Sequence, residues 1–479
     1  MSQDCCPKPS RRDLLKSAAC GFGLTAFTHL WADALASSDD PLAPRSAQIP
    51  PRARRVIFLF MHGGPSHLDT FDYKPRLQSD HGKTLPFAVP RLQKAQGRNL
   101  GTLMASPFRF SRHGEGGLWI SELFPHVARH ADRLCVLNGM HTDGVDHGQA
   151  INRLHTGADT FVRPSLGSWV SYGLGSENRN LPAFVTISPL MGDIGVRSYS
   201  NAFLPAAYQG TAIGSEGVPA RDATVRHLSN DRVSAERQRR QLDLLRAADA
   251  EHAALRPADD RLDAVIRSFE LAFRMQAEAP PLLDLSGESE ETLRLYGIGQ
   301  EPTDNFGRQC LLARRMAEAG VRYIQVTHTQ LSRDYPDWDQ HAHLKAGLEA
   351  NASQVDQPIA ALLTDLARRG MLDDTLVVWG GEFGRTPVTE GRAGSFGRDH
   401  NPYGYTMWLA GSGVKGGFRY GATDEVGYYA VDDKVHLHDL HATMLHLLGL
   451  DHEKLTYRYA GRDFRLTDVY GRVVREILA

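Results

Sequence analysis

The feature that most constrains this chain is a recurring arrangement in which a short buried strand ends at glycines and is followed at once by histidines and acids. The clearest copy begins at Asp374, where the apolar run Thr375–Trp379 is rich in branched residues and too short for a helix. Gly380 and Gly381 follow, and Glu382 comes directly after them. Because ligands bind beyond the carboxyl ends of strands in open α/β sheets, Glu382 is well placed for a metal or a reacting group.

Histidines and acids also follow three further predicted strands, and glycines mark the ends of the first two. VIFLFM ends at His62, LCVLNGM runs into a segment that contains His147, and VRYIQVTH leads to DYPDWDQHAHL with Asp339 and His341. A helix is predicted to begin near Gly148, and the free N–H groups of its first turn would suit an anion. Polar groups at four strand ends predict one shared site.

The alternation of strands and helices predicts an α/β fold with a doubly wound, mostly parallel sheet. Two more strands are predicted at PAFVTIS and TMWLAGSG, and a helix at HDLHATMLHLLGLD. Further helices are predicted over Ile120–Asp132, Asn305–Ala319 and Ser353–Arg369. Long, charged helical sequence from about residue 197 to residue 280 predicts a helical insertion that stays outside the sheet.

Composition excludes some classes of partner. Among 479 residues, 54 lysines and arginines stand against 56 acids, so no basic excess points to nucleic acid. The 21 histidines often lie near acids in glycine-rich turns, which favours metal ligation. Outside the first 36 residues only Cys135 and Cys310 remain, and their apolar neighbours predict two buried free thiols.

The first 36 residues have the pattern of an export signal. Arg11 and Arg12 precede an apolar run of small residues, and Ala34-Leu35-Ala36 is typical of a signal-peptidase site. Paired arginines indicate the Tat route, which exports folded proteins. We therefore expect residues 1–36 to be removed, the Tat machinery to be a partner, and residues 37–479 to be a periplasmic or secreted domain without a stable membrane span.

The acids and histidines at the strand ends form a candidate ligand set for a divalent metal. The candidate ligands are His62, Asp69, Asp339, His341, Glu382, Asp399 and His400. Mixed imidazole and carboxylate donors suit zinc, manganese or iron, whereas a thiolate zinc site lacks the cysteines it needs. We expect one or two ions, zinc or manganese, with catalytic duty.

These motifs resemble the exported proteins of unknown function that are related to sulfatases within the alkaline-phosphatase-like superfamily. The resemblance covers the mature chain and is carried by MHGGPSHLDTFDYKP, HTDGVDHGQA, WDQH, WGGEFGRTP and GRDHNPYGYTMWLAGSGVKGG. It implies a doubly wound sheet with a metal site at the strand carboxyl ends. Asp339, either His341 or His343, and His400 match one metal's ligands in that superfamily. His62 stands where it has an aspartate, and Glu382-Phe383 replaces its Asp-His pair.

The same resemblance places His147 where the superfamily has its Ser, Thr or Cys nucleophile, and no formylglycine motif is present. Two mechanisms remain open. In the first, which we prefer, a metal-activated water attacks the ester while Arg385 or Arg398 holds the substrate oxygens. In the second, Thr142 or Ser66 acts as a nucleophile activated by the metal.

The sequence therefore predicts an exported, metal-dependent, sulfatase-like hydrolase of sulfate or phosphate esters, acting on a small-molecule or polysaccharide ester. The rival hypothesis is a non-catalytic metal- or carbohydrate-binding protein that keeps the fold. A third, a metal-free glycosidase using Glu382 and Asp339, leaves the histidines unexplained.

Overall fold

The computed structural model describes residues 40–89, 101–229, 232–255, 260–331, 336–392 and 394–479. The predicted signal segment, residues 1–36, lies outside these residues. Within the described part of the chain, no helix combines the length and the apolar character that crossing a membrane requires.

A nine-stranded sheet forms the centre of the molecule. Its strands, numbered in chain order, are β1 Arg55–Met61, β2 Leu134–His141, β3 Phe184–Ile187, β4 Thr211–Ile213, β5 Tyr323–His328, β6 Thr375–Gly380, β7 Tyr405–Ala410, β8 Phe418–Tyr420 and β9 Val435–His436. Their order is β8-β2-β7-β6-β1-β5-β3-β4, with β9 also paired to β2. Only the β7 pairings with β2 and β6 are antiparallel. The predicted α/β class with a mostly parallel sheet is confirmed.

Ten α-helices lie in the described residues: α1 His67–Thr70, α2 Pro75–Ser79, α3 His147–Thr156, α4 Leu166–Leu174, α5 Ala235–Leu255, α6 Asp260–Leu283, α7 Glu290–Leu295, α8 Asp304–Glu318, α9 Leu344–Arg368 and α10 Leu437–Leu447. Short 3-10 helices span Val127–Arg133, Gly195–Tyr199, Ala206–Tyr208, Ala220–Asp222 and Arg475–Ile477. Small two-stranded sheets pair Phe110–His113 with Leu118–Ser121, Gly384–Arg385 with His400–Asn401, Glu390–Arg392 with Ser395–Gly397, Ala422–Thr423 with Ala430–Asp432, and Tyr457–Tyr459 with Arg462–Phe464.

Hydrophobic cores cover both faces of the sheet, as a doubly wound fold requires. Ile57, Leu59 and Met61 of β1 pack into one core with α8 and α9. The alternate residues Val56, Phe58 and Phe60 pack into the other core, with α3, α4 and α10. Because side chains alternate along a strand, a strand covered on both faces must be apolar throughout. This is why β1 appears in the sequence as an unbroken apolar run.

Three predictions of secondary structure need correction. The helix expected over Ile120–Asp132 is a strand end followed by a 3-10 helix, because Pro125 lacks an N–H and obstructs the preceding turn. The helix expected from Ser353 begins at Leu344, since the buried stripe continues through that first stretch. The range 197–280 contains α5 and most of α6, but its strand β4 joins the sheet beside β3. Cys135 and Cys310 are free and buried, as predicted.

Candidate metal centre

One edge of the sheet collects the polar segments that the sequence singles out. β1, β5 and β6 run parallel, so their carboxyl ends share that edge. β7 is antiparallel to both β6 and β2, so β2 also ends there, whereas β7 begins there. This topology explains why residues that precede β7 meet residues that follow four other strands.

Four side chains converge at this edge and are called the histidine cluster: His147, Asp339, His341 and His400. One ligand atom from each lies within 4.8 Å of those of the other three. The Oδ1 atom of Asp339 is 2.9 Å from His341 Nε2 and 3.2 Å from the Nε2 atoms of both His147 and His400. The Nε2 atoms of His341 and His400 are 3.0 Å apart.

All three cluster histidines are oriented by an acceptor on their outer nitrogen. The Nδ1 atom of His147 is 2.7 Å from Glu382 Oε1, that of His341 is 2.5 Å from Glu390 Oε2, and that of His400 is 3.1 Å from the Val145 carbonyl oxygen. An Nδ1–H donated outward leaves the Nε2 lone pair directed inward. The cluster thus presents three imidazole nitrogens and a carboxylate oxygen to one point.

This donor set fits a divalent metal. His147 Nε2 is buried and 3.2 Å from Asp339 Oδ1, but the alignment makes no hydrogen bond, so this nitrogen has no hydrogen-bond partner among the described residues. Outward hydrogen bonds on ligating histidines are the usual surroundings of a bound transition metal. Three imidazoles with one carboxylate suit zinc, manganese or iron.

The acids of the site also perturb the pKa values of the cluster. Burial alone would lower the pKa of His147, but Asp339 and Glu382 outweigh it and raise that pKa to about 9. Burial alone would raise the pKa of Asp339, but the adjacent rings of His147, His341 and His400 and the charge of Arg385 hold that pKa well below its usual range. A proton on His147 and a cation therefore compete for one place.

Glu382, predicted as a metal ligand, lies behind the cluster. Its side chain is fully buried, and it accepts hydrogen bonds from His147 Nδ1 and from the backbone N–H of Gly63. Burial opposes ionisation, but the hydrogen bond from His147 lowers the pKa of Glu382. Gly63 holds Glu382, and Glu382 in turn orients His147, so the geometry gives Glu382 a positioning role.

Asp399 likewise stands outside the histidine cluster. Its Oδ1 atom accepts the backbone N–H of His400 at 2.8 Å and lies 4.0 Å from His341 Nδ1. With His341 and Glu390 it forms a second group of potential ligands, on the outer side of the His341 ring. His343, the alternative to His341, is hydrogen-bonded to Ser395.

His62 is not a member of the cluster. Its ring lies between Asp337, 2.8 Å from Nδ1, and Asp193, 3.0 Å from Nε2. Burial alone would lower its pKa, but hydrogen bonds to Asp193 and Asp337 raise it to about 10. Its ring centroid is 6.1 Å from that of His147. The prediction of His62 as a ligand is therefore corrected, because both of its ring nitrogens are paired with acids outside the histidine cluster.

Asp69 and Arg398 form a separate, wholly buried ion pair. Arg398 donates from Nε to Asp69 Oδ2 at 2.8 Å and from Nη2 to Oδ1 at 3.3 Å. Ser66 donates to the same carboxylate. The predictions of Asp69 as a metal ligand, Arg398 as a substrate anchor and Ser66 as a nucleophile are corrected, because these side chains are bonded to one another.

Arg385 contacts the cluster through Asp339, and its other hydrogen bonds go to backbone carbonyl oxygens of the protein. Nη2 donates to Asp339 Oδ1 at 2.6 Å and to the Gly63 carbonyl, Nε donates to Gly64, and Nη1 donates to the Arg398 carbonyl. The side chain is almost completely buried. Arg385 therefore fixes Asp339. Its buried side chain spends four of its five N–H donors on the protein, which corrects its predicted role of holding substrate oxygens.

Thr142, the predicted alternative nucleophile, is buried, and its backbone N–H donates to the Pro402 carbonyl. Its hydroxyl has no hydrogen-bond partner among the residues that the structure describes. No base in that part of the chain accepts its proton, so only a bound metal would activate this hydroxyl as a nucleophile.

Sequence reasoning missed Glu390, Asp337 and Asp193. Asp337 lies two residues before Asp339 in the segment already singled out, so the spacing could have indicated it. Asp193 lies in the loop that follows β3, where the strand-end pattern could have indicated it, whereas Glu390 belongs to a hairpin outside the main sheet. Their proximity arises only in three dimensions.

Comparisons with known proteins bear on family and fold. A family model described as "Protein of unknown function (DUF1501)" matches residues 53–478. No curated protein matches the sequence. The lipoteichoic acid synthase LtaP from Listeria monocytogenes gives a TM-score of 0.38 at 8% identity, covering 89% of this chain and 78% of that one.

Two further structures give similarly low scores. The PsFucS1 sulfatase from Pseudoalteromonas sp. has a TM-score of 0.38 at 12% identity, covering 89% of this chain and 72% of its own. The alkaline phosphatase from the Antarctic bacterium TAB5 has a TM-score of 0.30 at 11% identity, covering 83% and 98%. At such scores the likenesses carry no information on activity.

Proposed function

Because this chain belongs to the DUF1501 family of proteins of unknown function, we propose its activity from the site itself. We propose that the protein is a metal-dependent hydrolase of phosphate or sulfate esters. His147, Asp339, His341 and His400 hold one divalent cation, zinc or manganese. The substrate is a small-molecule or polysaccharide ester.

One observation carries this proposal: three Nε2 atoms and a carboxylate oxygen face one another, and every outer nitrogen is already hydrogen-bonded. In such a site a divalent cation supplies Lewis-acid chemistry and lowers the pKa of water toward about 7. This chemistry supports attack by water rather than by a protein nucleophile. It agrees with the Thr142 hydroxyl, beside which the described residues place no base.

The chain's own residues fix the geometry of the site. Arg385 holds Asp339 by a 2.6 Å ion pair, and Glu382 holds His147. α3 begins at His147, and the N–H groups of its first turn, which have no partner within the helix, bind an oxygen of the anionic ester.

A single cation agrees with the surroundings of the cluster. The ring of Phe383, which stands where the superfamily pattern has a histidine, packs on His400 with centroids 4.4 Å apart and on His147 at 4.9 Å. An apolar ring offers no ligand there. The space beside the cluster is filled by His62, which is hydrogen-bonded to Asp193 and Asp337.

A non-catalytic metal- or carbohydrate-binding protein is the second candidate. It is favoured by the two arginines, because Arg385 and Arg398 are buried and each donates four hydrogen bonds to the protein, so neither guanidinium is placed to hold the ester. In this hypothesis the metal is kept and turnover is lost.

The first experiment measures metal content and affinity after purification without chelators. We expect about one equivalent of transition metal in the wild type, and a clearly lower content in His341→Ala and His400→Ala, each of which loses one ligand of four and binds the metal more weakly. The matched control His343→Asn, in the same segment but outside the cluster, should keep the metal. A wild type that binds no metal would contradict the hydrolase and the metal-binding alternative together.

The second experiment separates the two candidates. Metal-loaded protein is assayed on aryl phosphate and aryl sulfate esters, with Asp339→Asn as the inactive reference. Turnover in the wild type that Asp339→Asn abolishes supports the hydrolase. Full metal loading without turnover on either ester class would favour the binding protein.

Export is part of the same proposal. The twin arginines and the cleavage pattern support passage through the Tat machinery and a periplasmic or secreted location. Folding before export suits a site whose metal is inserted in the cytoplasm.

A further inference from the structure

Glu390 contacts His341 from outside the histidine cluster. Its Oε2 atom is 2.5 Å from His341 Nδ1, and its side chain is only 13% exposed. Glu390 begins the hairpin in which Glu390–Arg392 pairs with Ser395–Gly397. This hairpin is separate from the main sheet, yet it contacts His341 of the histidine cluster.

The hairpin is closely docked on the segment that carries His341. A Cβ atom at Gly397 would lie 2.2 Å from the Gln340 carbonyl oxygen and 2.2 Å from the His341 carbonyl carbon, so only glycine permits this approach. The Arg398 backbone N–H donates to Gln340 at 3.0 Å. These contacts fix the position of the hairpin, and therefore the point at which the Glu390 carboxylate contacts the His341 ring.

Two interpretations of this contact are available. Glu390, Asp399 and His341 Nδ1 could hold a second cation. However, Glu390 is at hydrogen-bond distance from Nδ1, while Asp399 lies 4.0 Å away and already accepts the His400 N–H. The positions therefore match a carboxylate that accepts the Nδ1–H of His341 better than they match a second metal site.

We propose that Glu390 is a positioning residue, which accepts the Nδ1–H of His341 and thereby directs Nε2 of that ring toward the cation. This inference rests on the proposed metal site and names the residue that sets its affinity. Glu390 would play the part for His341 that Glu382 plays for His147. Outer carboxylates of this kind commonly contribute about 10- to 100-fold to metal affinity.

The test measures the Zn²⁺ affinity of the full-length protein by competition with a chelating dye. Glu390→Gln should weaken binding by about 10- to 100-fold. Glu390→Asp, which keeps a carboxylate, should recover part of that loss. The matched control Glu425→Gln, at a 74% exposed glutamate outside the site, should bind like the wild type.

A double-mutant cycle shows whether Glu390 acts through His341. In the His341→Ala background, Glu390→Gln should have no further effect, whereas a general loss of structure would lower the affinity again. Equal Zn²⁺ affinity in wild type and Glu390→Gln would overturn the positioning role and leave the proposed function intact. Two bound ions, one lost in Glu390→Gln, would overturn it in favour of a second site. Absence of any Zn²⁺ binding would remove both proposals.

Discussion

Replacing Asp69 with asparagine tests whether this acid is structural. Asp69 and Arg398 are both fully buried, and two hydrogen bonds of 2.8 and 3.3 Å join them. Asparagine keeps the shape of the side chain but removes its charge. The Arg398 guanidinium would then remain buried without a counter-charge, in a core that water does not reach.

The expected loss follows from the cost of an unpaired buried charge. Removing one partner of a buried ion pair lowers the free energy of unfolding by about 3–5 kcal/mol. The entropy of unfolding is about 2.1 cal/mol/K per residue, which gives about 1 kcal/mol/K for 479 residues. Asp69→Asn should therefore lower the Tm by about 3–5 °C, if the domain unfolds cooperatively.

The assay pairs thermal unfolding with metal content. Asp69→Asn should lose thermal stability but keep the metal content of the wild type, because its carboxylate is not in the cluster. The control Glu291→Gln breaks an exposed ion pair with Arg368, in which Glu291 is 76% exposed, and should move the Tm by less than about 1 °C. Loss of metal at an unchanged Tm would refute the structural role and restore Asp69 as a ligand.

Three further predictions concern the metal, the hairpin and export. Because the pKa of His147 is raised to about 9, metal binding below that pH must displace a proton, so Zn²⁺ affinity should rise with pH up to about 9 and then level off; a flat profile would contradict this. Gly397→Ala should weaken Zn²⁺ binding, since its Cβ would displace the docked hairpin, whereas Gly287→Ala, which has open space around it, should not. Replacing Arg11 and Arg12 by lysine should retain the protein in the cytoplasm, as fractionation would show; normal export of the double variant would exclude the Tat route.

Local sequence patterns predicted much of the fold, and the reason is visible in β1 and β6. Both strands are covered on both faces, so their composition is apolar throughout, and glycines mark where they end. The pattern failed where a local breaker competed with it. Apolar spacing suggested a helix over Ile120–Asp132, but Pro125 limits that stretch to a strand end and a 3-10 turn.

For the site, the sequence indicated the correct edge of the sheet but not which side chains contact one another there. His147, Asp339, His341 and His400 were all singled out, although His147 was expected in the place of a nucleophile. Asp69, with the same composition around it, is instead bonded to a buried arginine. Periodicity reports burial, and it does not report which atom faces which.

What the sequence determined by itself was therefore the set of strands, their glycine ends and the acids and histidines that follow them, because these depend on neighbours in the chain. Only the tertiary structure decided that three Nε2 atoms share one point, that Glu390 stands behind His341 and that His62 lies between Asp193 and Asp337. Each of those outcomes depends on hydrogen bonds between residues far apart in the chain, and such contacts form only when the sheet brings its strand ends together.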